Sequence, residues 1–205
     1  MGGPKKNKKK SRRFKYYNLM KIIAGVDEVG RGSLVGPVYA AAVILKKSIN
    51  TKLLKDSKSI SSSKRKVLFS HIKKNSIWAI GKASVKEIET NNILNASLLA
   101  MKRAILKLKK KPSLVLVDGN KLPTIKNYKL NSIIKGDQKI PSISAASILA
   151  KVSRDKMISA LGKKFKGYYW DKNYGYGTSQ HLKAIKNLGI TSHHRKNFSP
   201  IKKIK

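Results

Sequence analysis

Cysteine is absent from the 205 residues. That excludes a disulfide framework, a thiolate zinc centre and a cysteine nucleophile. Long apolar runs are missing too: the longest, Val38 to Leu45, has the length of a strand, far short of the roughly 18 residues a membrane-crossing helix needs. The opening MGGPKKNKKKSRR carries charge with no apolar stretch behind it, so no secretory signal is expected. Lys6 stands where a myristoylation signal wants Ser or Thr. The expectation is a cytoplasmic protein with no membrane partner. Acids are the scarce charge, 9 Asp and Glu against 47 Lys and Arg, for a formal net charge of +38. Such a field suits polyanionic partners. Lysine, isoleucine and asparagine are nevertheless abundant along the whole chain, so part of the surplus is ordinary solvated surface. With so few carboxylates, the place of each one is informative.

Hydrophobic residues make up 40% of the chain, enough for a core, and the length suits one compact domain. Residues 1–19 are Lys-rich with little apolar periodicity and read as a disordered basic arm; residues 20–202 read as the domain. Apolar runs place strands at Lys21 to Val26, Gly36 to Leu45, Ser76 to Val85, Ser113 to Val117 and Asn131 to Ile134. Helices are expected at Ser63 to Lys73, with Val67, Leu68 and Ile72 inward, and at Asn92 to Lys109. In the second, Leu94, Leu98, Met101, Ile105 and Leu108 form one stripe and Asn91 or Asn92 caps the start. Further helices are expected at Ser144 to Lys164, after Pro141, and at Thr178 to Leu188, capped by Thr178 and stopped by Gly189. Hairpin-length links first, then strands separated by helices, give an α/β pattern with a mixed sheet.

Three of the apolar strands end in acid: IIAGV before Asp27 and Glu28, LVLV before Asp118, and SIIKG before Asp137. Ligand sites of α/β sheets gather at strand ends. If these strands are neighbours, four carboxylates meet. Bare acids so close repel one another and raise each other's pKa, and hard oxygen donors in such a group suit Mg²⁺ or Mn²⁺. A pair of such ions about 4 Å apart activates water and stabilises the leaving oxygen of a phosphodiester. Taken singly, Asp118 in Asp-Gly-Asn and Asp137 in Gly-Asp are ordinary turn residues. The adjacent pair Asp27-Glu28, after a buried strand and before a glycine turn, has no such simple reading. Gly30-Arg31-Gly32 offers exposed backbone N–H groups that a phosphate or a ribose hydroxyl can approach.

The string AGVDEVGRGSLVGPVYAAAVIL, residues 24–45, resembles the opening of the type 2 ribonuclease H family, most closely its bacterial ribonuclease HII branch. The likeness continues in order through Lys55-Asp56-Ser57-Lys58, Asn92-Ile93-Leu94 with Ala96, LVLVDGN (114–120), KGD (135–137), ISAASILAKVSRD (143–155), GYGT with His181 (175–181) and HHRKNFSP (193–200). It implies a ribonuclease H-like α/β fold, a central mixed five-stranded sheet flanked by helices, with a helical C-terminal region. It implies two divalent ions, Mg²⁺ or Mn²⁺, on the catalytic residues Asp27, Glu28, Asp118 and Asp137. The implied substrates are RNA–DNA hybrids and duplex DNA containing ribonucleotides, cut 5′ to the ribonucleotide by a monomer to leave a 5′-phosphate and a 3′-hydroxyl. In the same way Gly30, Arg31 and Gly32 are implied to sense the 2′-hydroxyl, the group that tells RNA from DNA, and Tyr176 to stack on the neighbouring sugar.

Lys58, Ser147, Lys151 and Arg154 are candidates for phosphate contacts. His181, His193 and His194 are expected in structural or phosphate roles, since hard ions prefer oxygen. Ser33 stands where the family usually has proline after Gly-Arg-Gly, and is expected to leave that loop looser. The related HIII type carries an extra N-terminal domain that some twenty basic residues cannot form. The rival reading is a non-catalytic basic nucleic-acid-binding protein, with steep salt dependence and indifference to EDTA. A sugar-phosphate enzyme using Gly30-Arg31-Gly32 is a weak third, because no G-x-x-x-x-G-K pattern is present.

Overall fold

A computed structural model describes residues 22–54 and 61–204. The basic arm and Lys58 lie outside the described residues. The strands are β1 (Ile23–Val29), β2 (Val38–Leu45), β3 (Ser76–Ala83), β4 (Leu114–Asp118) and β5 (Leu130–Ile133). They form one sheet in the order β3-β2-β1-β4-β5. β2 is antiparallel to both β1 and β3, while β1, β4 and β5 are parallel, so β2 alone runs against the others. The helices are α1 (Ser62–Lys74), α2 (Val85–Leu106), α3 (Pro141–Lys164), α4 (Trp170–Asn173), α5 (Ser179–Leu188) and α6 (Ile201–Ile204). None is long and apolar enough to cross a membrane among the described residues.

The sheet is covered on both faces, which is why its central strands are apolar throughout rather than alternating. Ala24, Val26, Ala40, Ala42, Val115 and Val117 pack against α2. Ala41 and Val43 pack against α3 and Ile72 of α1. Small residues let the layers approach. A Cβ on Gly81 of β3 would come within 2.1 Å of the Ala100 carbonyl oxygen, and one on Gly25 of β1 within 2.2 Å of the Ser142 carbonyl carbon. The glycine of β1 thus holds the start of α3 against the strand that carries Asp27. A third cluster, with Trp170, Tyr168, Ile158, Ile185 and Val35, joins the C-terminal helices to the far end of α3.

Several elements differ from the sequence expectations. Val67 is 70% exposed; it stands five residues from Ile72, about 140° away around a helix, so Phe69 packs inward in its place beside the expected Leu68 and Ile72. α2 begins at Val85, earlier than expected, because Ser84 and Glu87 form a capping box. It breaks at Asn92 (φ 62°), whose Oδ1 then accepts from the Asn95 N–H and caps the second segment. Of the expected stripe, Met101 and Ile105 are buried and Leu98 and Leu108 pack partly buried against the same core, while Ala96, Ala100 and Ala104 join them in the closest contact with the sheet. Pro141 sits inside α3 as its first residue, where its missing N–H costs nothing. The short α4 and α6 had no periodic signal to reveal them.

The Gly81→Ala protein should lose about 3 kcal/mol or more, because the added methyl meets helix backbone that cannot rotate away. Leu106→Ala, at a side chain 51% exposed, should change stability by no more than about 0.5 kcal/mol. Urea unfolding followed by tryptophan fluorescence measures both.

Candidate active site

Parallel pairing of β1 with β4 puts Val26 opposite Val117, so Asp27 and Asp118 each follow a matched pair. β4 in turn pairs with β5 in parallel, Asp118 opposite Ile133. A short 3₁₀ turn, Gly136–Gln138, then carries Asp137 back toward the same edge. Lys135 adopts a left-handed conformation (φ 54°) ahead of this turn, and the Gly136 N–H donates to Asp118 Oδ1 at 2.6 Å. The backbone beside one acid therefore fixes another. The result is a pocket of about 390 Å³ lined by Asp27, Glu28, Asp118 and Asp137, with Ser147, Ile148 and Lys151 from α3 and Arg65 from α1.

Asp27 and Asp137 are buried, 6% and 2% exposed. Burial pushes the Asp27 carboxyl well above the usual carboxylate range, and the charges of Glu28 and Asp118 push it further; a hydrogen bond with Ser147 and the Glu28 N–H, at 2.7 Å from Asp27 Oδ1, oppose the rise. Glu28 is also raised, first by burial, with Arg31 as its main counterweight at 3.3 Å. The acids ring the pocket rather than closing on a point, and among the described residues no three Asp, Glu or His side chains form a ready ligand cluster. The carboxylate donors are all hard oxygen, which fits divalent ions of the Mg²⁺ or Mn²⁺ class.

The remaining sequence candidates fall into two groups. Ser147 and Lys151 lie at the pocket, Lys151 bound to Asp155 at 3.0 Å and over the Tyr174 and Tyr176 rings at 5.0 and 5.7 Å. Gly32 has nothing within 4 Å of where a Cβ would stand. Arg31 is half-exposed, and Tyr176 is partly exposed. Arg154 does not belong with the phosphate contacts. It is fully buried, and its guanidinium donates to the carbonyls of Pro37, Val35 and Tyr174 and to Ser33 Oγ at 3.2, 2.8, 3.1 and 2.7 Å. Burial also dictates its use: a guanidinium sealed from water is retained by the acceptors that surround it.

Ser33 likewise overturns the expectation of a looser loop. It is fully buried, donates to Gly175 O at 2.9 Å and accepts from Arg154, which ties the glycine turn to the Tyr176 segment. Arg195, for which the sequence suggested no role, holds the turn from beneath through Arg31 O at 3.0 Å and Gly36 O at 2.9 Å. His181 is structural. Its Nε2 accepts from the Trp170 indole N–H at 3.0 Å, so Nδ1 carries the proton that points to Tyr176 O at 2.9 Å. His194 packs with it and Trp170, and burial holds its pKa down to about 4. His193 packs its ring edge-on against Phe165.

A family model described as Ribonuclease HII matches residues 24–201. Ribonuclease HII of Pelagibacter ubique (strain HTCC1062) is 75% identical over 182 residues, covering 89% of this chain and 98% of its own length. Among solved structures, ribonuclease H2 from Pyrococcus horikoshii OT3 is similar with a TM-score of 0.76 at 25% identity, over 89% of this chain and 96% of that one. Ribonuclease HII in the PCNA:RNase HII complex from Archaeoglobus fulgidus gives 0.73 at 27% identity, over 87% and 95%.

Because Asp27 ionises less readily folded than unfolded, its penalty is absent below the unfolded pKa and complete above the folded one. In EDTA, Asp27→Asn, whose amide oxygen still accepts the Glu28 N–H, should be more stable than the parent at pH 7.5 by on the order of 1–3 kcal/mol. The gain should shrink toward pH 4. Urea unfolding at both pH values measures it, and equal stability at pH 7.5 would contradict the burial argument.

Proposed function

The chain belongs to the ribonuclease HII family, whose members are ribonucleases H acting on RNA–DNA hybrids, and from that premise we propose how its residues divide the work. The observation that carries the reading is the convergence of acids from three chain segments on one pocket. Asp27, Glu28, Asp118 and Asp137 would hold two divalent ions, Mg²⁺ or Mn²⁺, which when bound activate a water and stabilise the leaving 3′-oxygen. The Ser147 hydroxyl steadies Asp27, and the Gly136 N–H steadies Asp118. Lys151 stands at the rim to meet a non-bridging phosphate oxygen.

Substrate choice rests with the glycine turn. Gly30, Arg31 and Gly32 present backbone groups to the ribose 2′-hydroxyl, and Tyr176 offers its ring to the adjoining deoxyribose. Hydrolysis on the 5′ side of the ribonucleotide leaves a 5′-phosphate and a 3′-hydroxyl. This chemistry would let the protein, as a cytoplasmic monomer, cut the RNA of hybrids and begin removal of single ribonucleotides from DNA during replication and repair. A merely basic binding protein would tolerate EDTA and loss of the acids.

With a duplex holding one ribonucleotide, the protein in Mg²⁺ should nick on its 5′ side and leave an all-DNA duplex whole. Asp118→Asn should lower turnover by on the order of 10³-fold or more, about 4 kcal/mol of barrier, with substrate affinity nearly unchanged. Undiminished cutting by that variant, or by the parent in EDTA, rejects the assignment. Gly32→Ala isolates the turn: nothing stands within 4 Å of the new methyl, so thermal stability should hold while cleavage at a single ribonucleotide falls roughly 10-fold or more. Gly30→Ala does not separate the two effects, since its Cβ would strike Arg154.

A further inference from the structure

A second groove, about 340 Å³, runs between α1 and α3 and shares Arg65 with the acid pocket, so the two adjoin. Each helix gives it one face. Arg65 and Lys66 stand three and four residues after Ser62 on α1; Lys156, Ser159 and Lys163 stand four, seven and eleven after Val152 on α3. Lys66, Lys156 and Lys163 are exposed. The acid among the lining residues is Asp155, already matched by Lys151 at 3.0 Å. The groove is therefore cationic, floored by small and apolar side chains, and leads away from the place where a phosphodiester would be cut. Twelve residues separate Lys151 at the pocket from Lys163, about 18 Å of helix. Measured along a strand rather than along the duplex axis, that span has room for about three consecutive phosphates, as many as there are exposed lysines.

We infer that this groove carries the phosphate backbone of the cleaved strand over about three consecutive phosphates to one side of the cut, held by Lys66, Lys156 and Lys163. The inference rests on the nuclease reading for where the strand begins. The groove reads no bases; its donors are point charges on flexible stems, which neutralise phosphates and leave sequence unrecognised.

The test replaces Lys66, Lys156 and Lys163 together by glutamine. The control replaces Lys109, Lys110 and Lys111 in the same way, removing equal charge beyond the N-terminal end of β4, opposite the end that carries Asp118. Binding to a duplex with a central ribonucleotide is measured in EDTA by anisotropy over a salt series. The groove variant should bind about 10-fold or more weakly at ~0.1 M salt, and the dependence of log Kd on log salt should flatten by roughly 2 to 3, near 0.9 for each phosphate that is no longer neutralised. The control should flatten by less than about 1. On duplexes shortened to end beside the ribonucleotide on one side or the other, the groove variant's deficit should vanish for one shortening only. In Mg²⁺ its turnover at saturating substrate and its cut position should match the parent's. Equal deficits in the two variants, or a deficit that survives both shortenings, would overturn the groove assignment. Failure of the nuclease reading would show separately, as no cleavage by the unsubstituted protein.

Discussion

Side-by-side parallel strands with acids at their ends force like charges together, and most of the molecule is arranged around that repulsion. β1 and β4 pair in parallel so that Asp27 and Asp118 emerge at the same end of the sheet, Asp27 buried and Asp118 partly exposed. Asp27 cannot retreat into solvent and resists ionisation as a result. The surrounding groups answer this in small ways: a serine hydroxyl, two backbone N–H groups and one exposed arginine. Arg65 and Lys151 stand in the same lining, and the carboxylates offer a set of hard oxygen donors of the kind divalent cations take.

Packing sets how finely the pocket is held. Gly25 lets the start of α3 lie directly on β1, and farther along the same helix Ser147 and then Lys151 face the acids. Position 81 does the same for α2 on the other face. The two faces therefore meet the sheet at backbone distance. Asp27, Glu28 and Asp118 stand on strands, and Asp137 on a short 3₁₀ turn that the Gly136–Asp118 bond ties to β4, which limits the small displacements that are costly to chemistry.

Much of this was legible in the chain before folding. The strands announced themselves as short apolar runs, and three of them ended in acid in a chain almost without acid. What escaped were features set by distant partners. Val67 looks as apolar as Leu68, and only the helix's orientation separates them. Arg154 reads as one more cation in a helix until the carbonyls of residues 35, 37 and 174 close over it. Ser33 looks like a weakened turn until its hydroxyl meets Gly175 and Arg154. The groove between α1 and α3 left no trace, since residues some ninety positions apart make its walls.

The bond from Arg195 to the Arg31 carbonyl joins residues 164 positions apart. A ribosome adds residues from the N-terminus, so the glycine turn emerges well ahead of the arginine that ties it. The acids can be in place well before then, on β1, β4 and the 3₁₀ turn. The tie on the glycine turn thus forms only after the segments that carry the acids have emerged, and a nascent chain halted before residue 195 leaves the Arg31 carbonyl without it.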